Sequence, residues 1–173
     1  MPPAERPAIH FEPLHPDVVA PARATAGSAG HDLSAYLRGR AVIVASGGGT
    51  AQRAAAAGDD GSWEVTLEPG ERALIPLGFK ARLPEGYEAQ IRPRSGASFK
   101  KGLEIPNAPG TIDADYPDEW MVIVRNGTAS AMRITHGERI AQAVLQRFEV
   151  LEWTTGTVGV TTERGGGFGS TGS

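Results

Sequence analysis

The sequence contains no cysteine. Disulfides, thiolate metal sites and a cysteine nucleophile are thereby excluded, and a cytoplasmic setting is the compartment that fits. Aromatic residues are scarce, at 6% of the chain. No apolar run approaches the roughly 18 residues of a membrane span. Met1-Pro-Pro-Ala-Glu-Arg-Pro-Ala8 lacks the apolar centre of a secretory signal and reads as a flexible tail. There is no excess of positive charge: the net charge is −3. The chain as a whole does not attract polyanions, so neither nucleic acid nor a membrane is expected as a partner. A phosphorylated small molecule would need a local cationic cluster or a metal ion. The four histidines show no metal-ligand spacing.

Glycine and proline, by contrast, are plentiful, at 23 and 13 residues. They favour many turns and few long helices. Trp63–Leu67 alternates with period two, and Arg72–Leu77 and Tyr87–Arg92 behave alike. Ile9–Phe11 reads as a further short strand. Met121–Val124 is an apolar run closed by Asn126-Gly127, a turn signal. Arg139–Phe148 fits a strand or a helix on pattern alone. This spacing predicts an all-β, jelly-roll-like domain with at most one or two short helices. Residues 38–62 differ in composition and are expected to form an inserted surface loop. Thr50 and Gly58 there are placed to cap one or two helical turns. The expected organisation is a tail at 1–8, a β domain at 9–162 and a glycine-rich arm at 163–173.

Four polar constellations carry candidate chemistry. Asp113, in the Gly-led stretch Gly110–Tyr116, is a carboxylate able to activate a water for attack on a phosphoanhydride. Tyr116, three residues on, offers a flat ring to a sugar. Pro93-Arg-Ser-Gly96 offers the Arg94 guanidinium, the Ser95 hydroxyl and close backbone at Gly96 to phosphate oxygens. The Gly96–Lys101 stretch is suited to a short helix. The tail holds Arg164 for a terminal phosphate and Phe168 for stacking on a base, with Ser170 and Thr171 as donors. Asp32 is the candidate carboxylate for Mg²⁺, which needs few protein ligands. Each cluster also has an ordinary reading: aspartates as turn caps, the tyrosine in a strand, the Arg-Ser pair as a surface turn, the tail as low complexity.

Taken together these segments resemble the homotrimeric dUTPases, the deoxyuridine triphosphate nucleotidohydrolases. Five motifs stand in that family's order: Ala26–Leu33, Arg92–Ser98, Asn107–Tyr116, Gly137–Gln142 and the tail from Arg164. The resemblance covers roughly residues 9–172 apart from 38–62. It implies a homotrimer with three shared active sites, closed by the glycine-rich arm of a neighbouring subunit. It implies hydrolysis of dUTP to dUMP and pyrophosphate, which limits uracil in DNA and supplies dUMP for thymidylate synthesis. Asp113 would activate the water and Tyr116 would lie under the deoxyribose. Asn107, Gly110, Thr111 and Ile112 would read the uracil edge, with Met121 lining that pocket. Arg94, Ser95, Gly96 and Gln142 would hold phosphates, and Asp32 would touch Mg²⁺ through water. Arg164, Phe168, Gly169, Ser170 and Thr171 would cover the nucleotide. The alternatives are a dCTP deaminase-type enzyme on the same fold and a non-catalytic nucleotide-binding or interaction protein. The chain departs from the family at Asp118, where glycine is usual. There, Pro117-Asp118 suits a type I turn. It departs again in the short Arg164-to-Phe168 spacing and in the length of 38–62.

Overall fold

Period-two alternation sets most of the architecture. In Trp63–Leu67 the alternate residues Val65 and Leu67 are buried while Glu64 and Thr66 are not. The same rule turns Val122 and Val124 inward in Met121–Asn126. The computed structural model describes residues 7–159. In chain order its strands are β1 (His10–Pro13), β2 (His31–Ser34), β3 (Ala41–Ser46), β4 (Gly49–Ala54), β5 (Ala56–Ala57), β6 (Trp63–Leu67) and β7 (Arg72–Pro76). They continue as β8 (Phe79–Arg82), β9 (Tyr87–Arg92), β10 (Leu103–Glu104), β11 (Gly110–Ile112), β12 (Met121–Asn126), β13 (Met132–Thr135) and β14 (Arg139–Arg147). One helical segment, Ala97–Lys101, follows β9.

The strands form antiparallel sheets ordered β10-β12-β7-β3-β4, β11-β9-β14-β2, β13-β6-β5 and β1-β8. The all-β, jelly-roll-like expectation holds. Arg139–Phe148, open on pattern, is strand through Arg147. The core between the sheets is aliphatic: Leu33, Leu37, Leu67, Ile75, Ile134 and Ile140 are fully buried. Trp120 packs on Phe79 with ring centroids 5.4 Å apart, and its indole N–H donates to the Ala81 carbonyl at 3.3 Å. The Asn126-Gly127 signal has a physical basis too. Asn126 is fully buried, its Nδ2 donates to the Leu67 and Ser130 carbonyls, and its Oδ1 accepts from the Thr128 N–H.

Two expectations need correction. Residues 38–62 are not a loop, and Thr50–Ala57 is not helical. They form the β3–β4 hairpin and β5, with Ser46 opposite Gly49 across a Gly47-Gly48 turn. Both turn glycines have positive φ, 55° and 87°, which a two-residue hairpin turn of this hand requires. Val42 and Val44 drive the pairing, because β3 buries them on the core side of the sheet. Alanine's helix propensity is a weak preference, and burial overrides it. The second correction is at Pro117-Asp118. The hydrogen-bonded turn lies earlier, with the Tyr116 N–H donating to the Asp113 carbonyl at 3.2 Å. No described non-glycine residue has positive φ, so Asp118 is tolerated where the family has glycine.

The hairpin is clamped from the inner side. Arg53 of β4 donates to both carboxylate oxygens of Glu71 at 2.6 and 2.8 Å and to the Thr66 carbonyl at 2.6 Å. Glu71 is buried and also accepts from the Glu68 N–H. The Arg53 hydrogen bonds hold the Glu71 carboxyl below its ordinary value of 4.5, against the opposing effect of burial. The clamp therefore stabilises the fold above that pH and loses its contribution as pH falls below it. Arg53→Ala should cost about 2–3 kcal/mol near neutrality, less than a fully buried pair because the arginine is partly exposed. The gap between variant and parent should narrow as pH drops below 4.5. Urea unfolding across pH checks both; an unchanged midpoint would show the clamp to be slack.

Candidate active site

The register of the four-stranded sheet decides which motifs meet. Gln142 of β14 lies opposite Asp32 of β2 on one side and Arg92 of β9 on the other. The three residues form one row across the sheet. Just past this row β9 ends at Pro93, which has no N–H to continue a ladder. The chain then turns through Arg94, Ser95 and Gly96 into the Ala97–Lys101 helix. Three segments far apart in sequence thus converge at one sheet end.

Asp32 is the centre of the cluster. Its Oδ1 accepts from Arg94 Nε at 2.7 Å and its Oδ2 from Arg139 Nη1 at 3.0 Å. Arg94 also donates to the Arg139 carbonyl at 3.2 Å. Two guanidinium groups and one carboxylate leave the spot with a local surplus of one positive charge. That is a local cationic patch in a chain of net charge −3. Arg139, within the fourth motif, had no role from sequence, and the GER run that precedes Ile140 was the available signal. Arg92, by contrast, folds back onto Gln90 Oε1 at 2.6 Å.

Gln142 donates through Nε2 to the Pro93 carbonyl at 2.9 Å, joining the fourth motif to the second. Gly30 must be small here: a Cβ on it would sit 2.2 Å from Gln142 Oε1. Lys101, at the end of the helix, reaches Glu138 at 2.5 Å, and Glu138 also accepts from the Thr135 N–H. Ser95 and Gly96 are exposed at the helix start, where the first N–H groups have no intrahelical acceptor. Beside the cluster lies a cleft of about 470 Å³ bordered by Arg23, Asp32, Ser34, Tyr36, His136 and Arg139. His136 accepts the Leu37 N–H on Nδ1 at 3.1 Å. Burial, with Arg38 adding to it, holds its pKa below 6.5 and favours this neutral form.

The third motif lies on the opposite flank of the same sheet. β11 pairs with β9, with Gly110 opposite Ile91 and Ile112 opposite Ala89. As the end strand, it leaves the backbone groups of its far side out of the ladder. Asn107 packs under Gly110, where a Cβ would meet Asn107 Nδ2 at 2.9 Å. Asp113 follows β11 and is exposed, whereas Tyr116 is half-buried against the core. The chain behind them is anchored by Glu119, a buried carboxylate. It accepts from the Gly78 N–H at 2.8 Å and from both Nη atoms of Arg40 at 3.3 and 2.7 Å. Met121 begins β12 in the other large sheet, opposite Pro76.

The structure does not bring Asp113 to Asp32. Extending the register puts Asp113 level with Glu88, four residues along β9 from the Arg92 row and three strands across from β2. With a rise of about 3.3 Å per residue and strands about 4.8 Å apart, the two backbone positions are about 19 Å from each other. Arg164, Phe168, Gly169, Ser170 and Thr171 lie outside the described residues. Among the described residues no group of three or more His, Cys, Asp or Glu gathers to cage a metal ion. No described helix is long and apolar enough to cross a membrane.

Comparison with known proteins gives this arrangement a context. Residues 49–172 match the family model of dUTPase. The chain is 53% identical over 110 residues to a protein of Desulfotalea psychrophila named deoxyuridine 5'-triphosphate nucleotidohydrolase; the match covers 63% of this chain and 73% of that one. A protein of the same name from Solibacter usitatus is 47% identical over 109 residues, covering 63% of this chain and 74% of the other. Among solved structures, the Staphylococcus bacteriophage 80alpha dUTPase with dUPNHPP superposes with a TM-score of 0.71. That match is at 25% identity, over 95% of this chain and 98% of that one. Motifs in family order, a matching fold and sequence matches of this strength agree: the chain belongs to the dUTPase family.

Proposed function

We propose that the protein hydrolyses dUTP to dUMP and pyrophosphate. The observation that carries the reading is the meeting of Asp32, Arg94, Arg139 and Gln142 at one sheet end, drawn from three separate motifs. That patch receives the phosphates, with Ser95 and Gly96 adding donors at the helix start. The third motif takes the nucleoside. Asn107 and the free backbone edge of Gly110, Thr111 and Ile112 read uracil, Met121 lines the pocket, and Tyr116 lies under the deoxyribose. Arg164, Phe168, Gly169, Ser170 and Thr171 close over the bound nucleotide.

The chemistry asks little of the protein beyond position and charge. The water oxygen bonds the α-phosphorus, and the bond from that phosphorus to its bridging oxygen breaks. Pyrophosphate leaves with the electron pair, and Asp113 accepts the water proton. The donor set suits Mg²⁺ held through water rather than caged. Asp32 is a single carboxylate already accepting one guanidinium N–H on each oxygen, and it would hold the ion through a coordinated water. When bound, Mg²⁺ neutralises phosphate charge and fixes the triphosphate conformation.

The roughly 19 Å between Asp113 and Asp32 supports an assembly of copies. A water in line behind the α-phosphorus must touch the base, while the same triphosphate rests on Arg94. One chain cannot offer both. A homotrimer, in which one copy's third motif faces another's phosphate cluster, resolves the gap. The 163–173 segment of a neighbour then has a site to cover.

Purified protein given dUTP or dCTP with Mg²⁺ separates the readings. Pyrophosphate from dUTP is expected. Ammonia from dCTP would point to a deaminase, and no product from either to a binding protein. Asp113→Asn should slow turnover by at least about 10²-fold with nucleotide binding retained. Undiminished turnover would remove Asp113 from its role. Gly30→Ala should push Gln142 off Pro93 and raise KM for dUTP about 2- to 10-fold, the worth of one hydrogen bond. An unchanged KM would show that Gln142 adapts without consequence. Removing residues 163–173 should cut turnover while the native mass per assembly stays that of the truncated trimer. Full activity in the truncated protein would exclude a closing role for the segment.

A further inference from the structure

The segment between β9 and β10 has little of its own to hold it still. Its helix, Ala97–Lys101, buries none of its five residues, and no side chain caps its start. At that length helical hydrogen bonds alone do not keep a shape. Ser98 ties it only locally, its hydroxyl donating to the Leu103 carbonyl at 3.1 Å. Among the described residues, the side-chain ties from Arg94–Lys101 to the rest of the site lie at its two ends. Arg94, before the helix, donates to Asp32 at 2.7 Å and to the Arg139 carbonyl at 3.2 Å. Lys101, the last helical residue, donates to Glu138 Oε1 at 2.5 Å. Both feet of the segment stand on consecutive residues of one turn, Glu138 and Arg139, with Ser95 and Gly96 between them. That turn is a firm base. The Gly137 N–H donates to the Ala35 carbonyl at 2.8 Å, and the Ala35 N–H donates to the Glu138 carbonyl at 2.9 Å. The second carboxylate oxygen of Glu138 accepts the Thr135 N–H at 3.1 Å, so the side chain is aimed by its own turn.

We infer that Glu138 and Lys101 are positioning residues for dUTP hydrolysis: their ion pair is a strut that holds Ser95 and Gly96 at a set distance from Arg139. The inference rests on the reading of this sheet end as the phosphate site. The two residues act through the loop rather than on the nucleotide. With both feet planted, the loop donors and the Arg139 guanidinium are in place before a phosphate arrives, and binding does not bear the cost of ordering them. With the Lys101 foot lifted, the loop pivots about Arg94, and Ser95 and Gly96 lose their fixed relation to Arg139. The pair is partly exposed, with Lys101 at 32% and Glu138 at 21%, so its effect on binding is modest rather than absolute.

Steady-state hydrolysis of dUTP by the full chain with Mg²⁺, resolved into kcat and KM, tests the strut. Lys101→Met should raise KM about 2- to 5-fold, the range of a partly exposed ion pair, with kcat changed less than about twofold. Lys101→Arg keeps the cation and should restore the parent KM. Glu138→Gln gives the sharper sign. It removes a negative charge beside a cationic patch, which by charge alone would tighten binding of a polyanion and lower KM. The strut requires the opposite, a rise like that of Lys101→Met. The double variant should be no worse than the worse single one, because the same contact is lost in each. Thermal unfolding followed by circular dichroism shows which variants are folded at the assay temperature. If Glu138→Gln is not, Glu138→Asp, which keeps the charge but falls one methylene short of Lys101, should show the same rise. An unchanged or lowered KM in the folded Glu138 variant, or additive effects in the double variant, would overturn the strut and leave dUTP hydrolysis standing. A parent that releases no pyrophosphate from dUTP would overturn the reading of the site, and the strut with it.

Discussion

The Asp32 carboxylate held between Arg94 and Arg139 is the interaction on which the candidate site depends. It gives each arginine a fixed partner, so neither guanidinium has to be ordered by an incoming phosphate alone. It also sets the balance of charge. Without Asp32 two cations would repel each other at the end of the sheet; without either arginine the surplus that draws in an anion would vanish. The pair spans β2, the loop after β9 and the start of β14, so it locks three segments at once. Gln142 bonding Pro93 and Lys101 bonding Glu138 extend the same lock on either side.

A second class of contact keeps the strands themselves in place. Glu71, Glu119 and Asn126 are buried polar residues, and each is fully engaged. Glu119 joins the chain behind Tyr116 to the β7–β8 turn, Glu71 fixes the inserted hairpin, and Asn126 closes the loop after β12. Among the described residues no buried side-chain polar atom lacks a partner. Networks of this kind restrict a β fold to one register, because a shifted strand would leave a carboxylate buried without its donors.

Much of this is legible in the residues. Trp63–Leu67 and Tyr87–Arg92 alternate cleanly, and the strands begin and end where the pattern does. The Pro93–Gly96 turn is legible because Pro93 ends a strand and the residues after it lead into the short Ala97–Lys101 helix, as the sequence suggested. The hairpin is not, because alanine carries almost no pattern. Its true signal is Gly47-Gly48 flanked by short β-compatible runs. The separation of Asp113 from Asp32 is invisible to any reading of motifs. It is a property of strand order, and the order β11-β9-β14-β2 is written in long-range pairing rather than local composition.

That separation has a further meaning for how the protein tolerates damage. In the proposed assembly of copies, a lesion at the Asp32–Arg94–Arg139 cluster and a lesion at Asp113 would fall on different halves of each centre. Two crippled chains, each broken on a different flank, would then restore some intact centres when mixed. A population of mixed subunits in the proposed assembly would therefore be buffered in a way that a self-contained site never is.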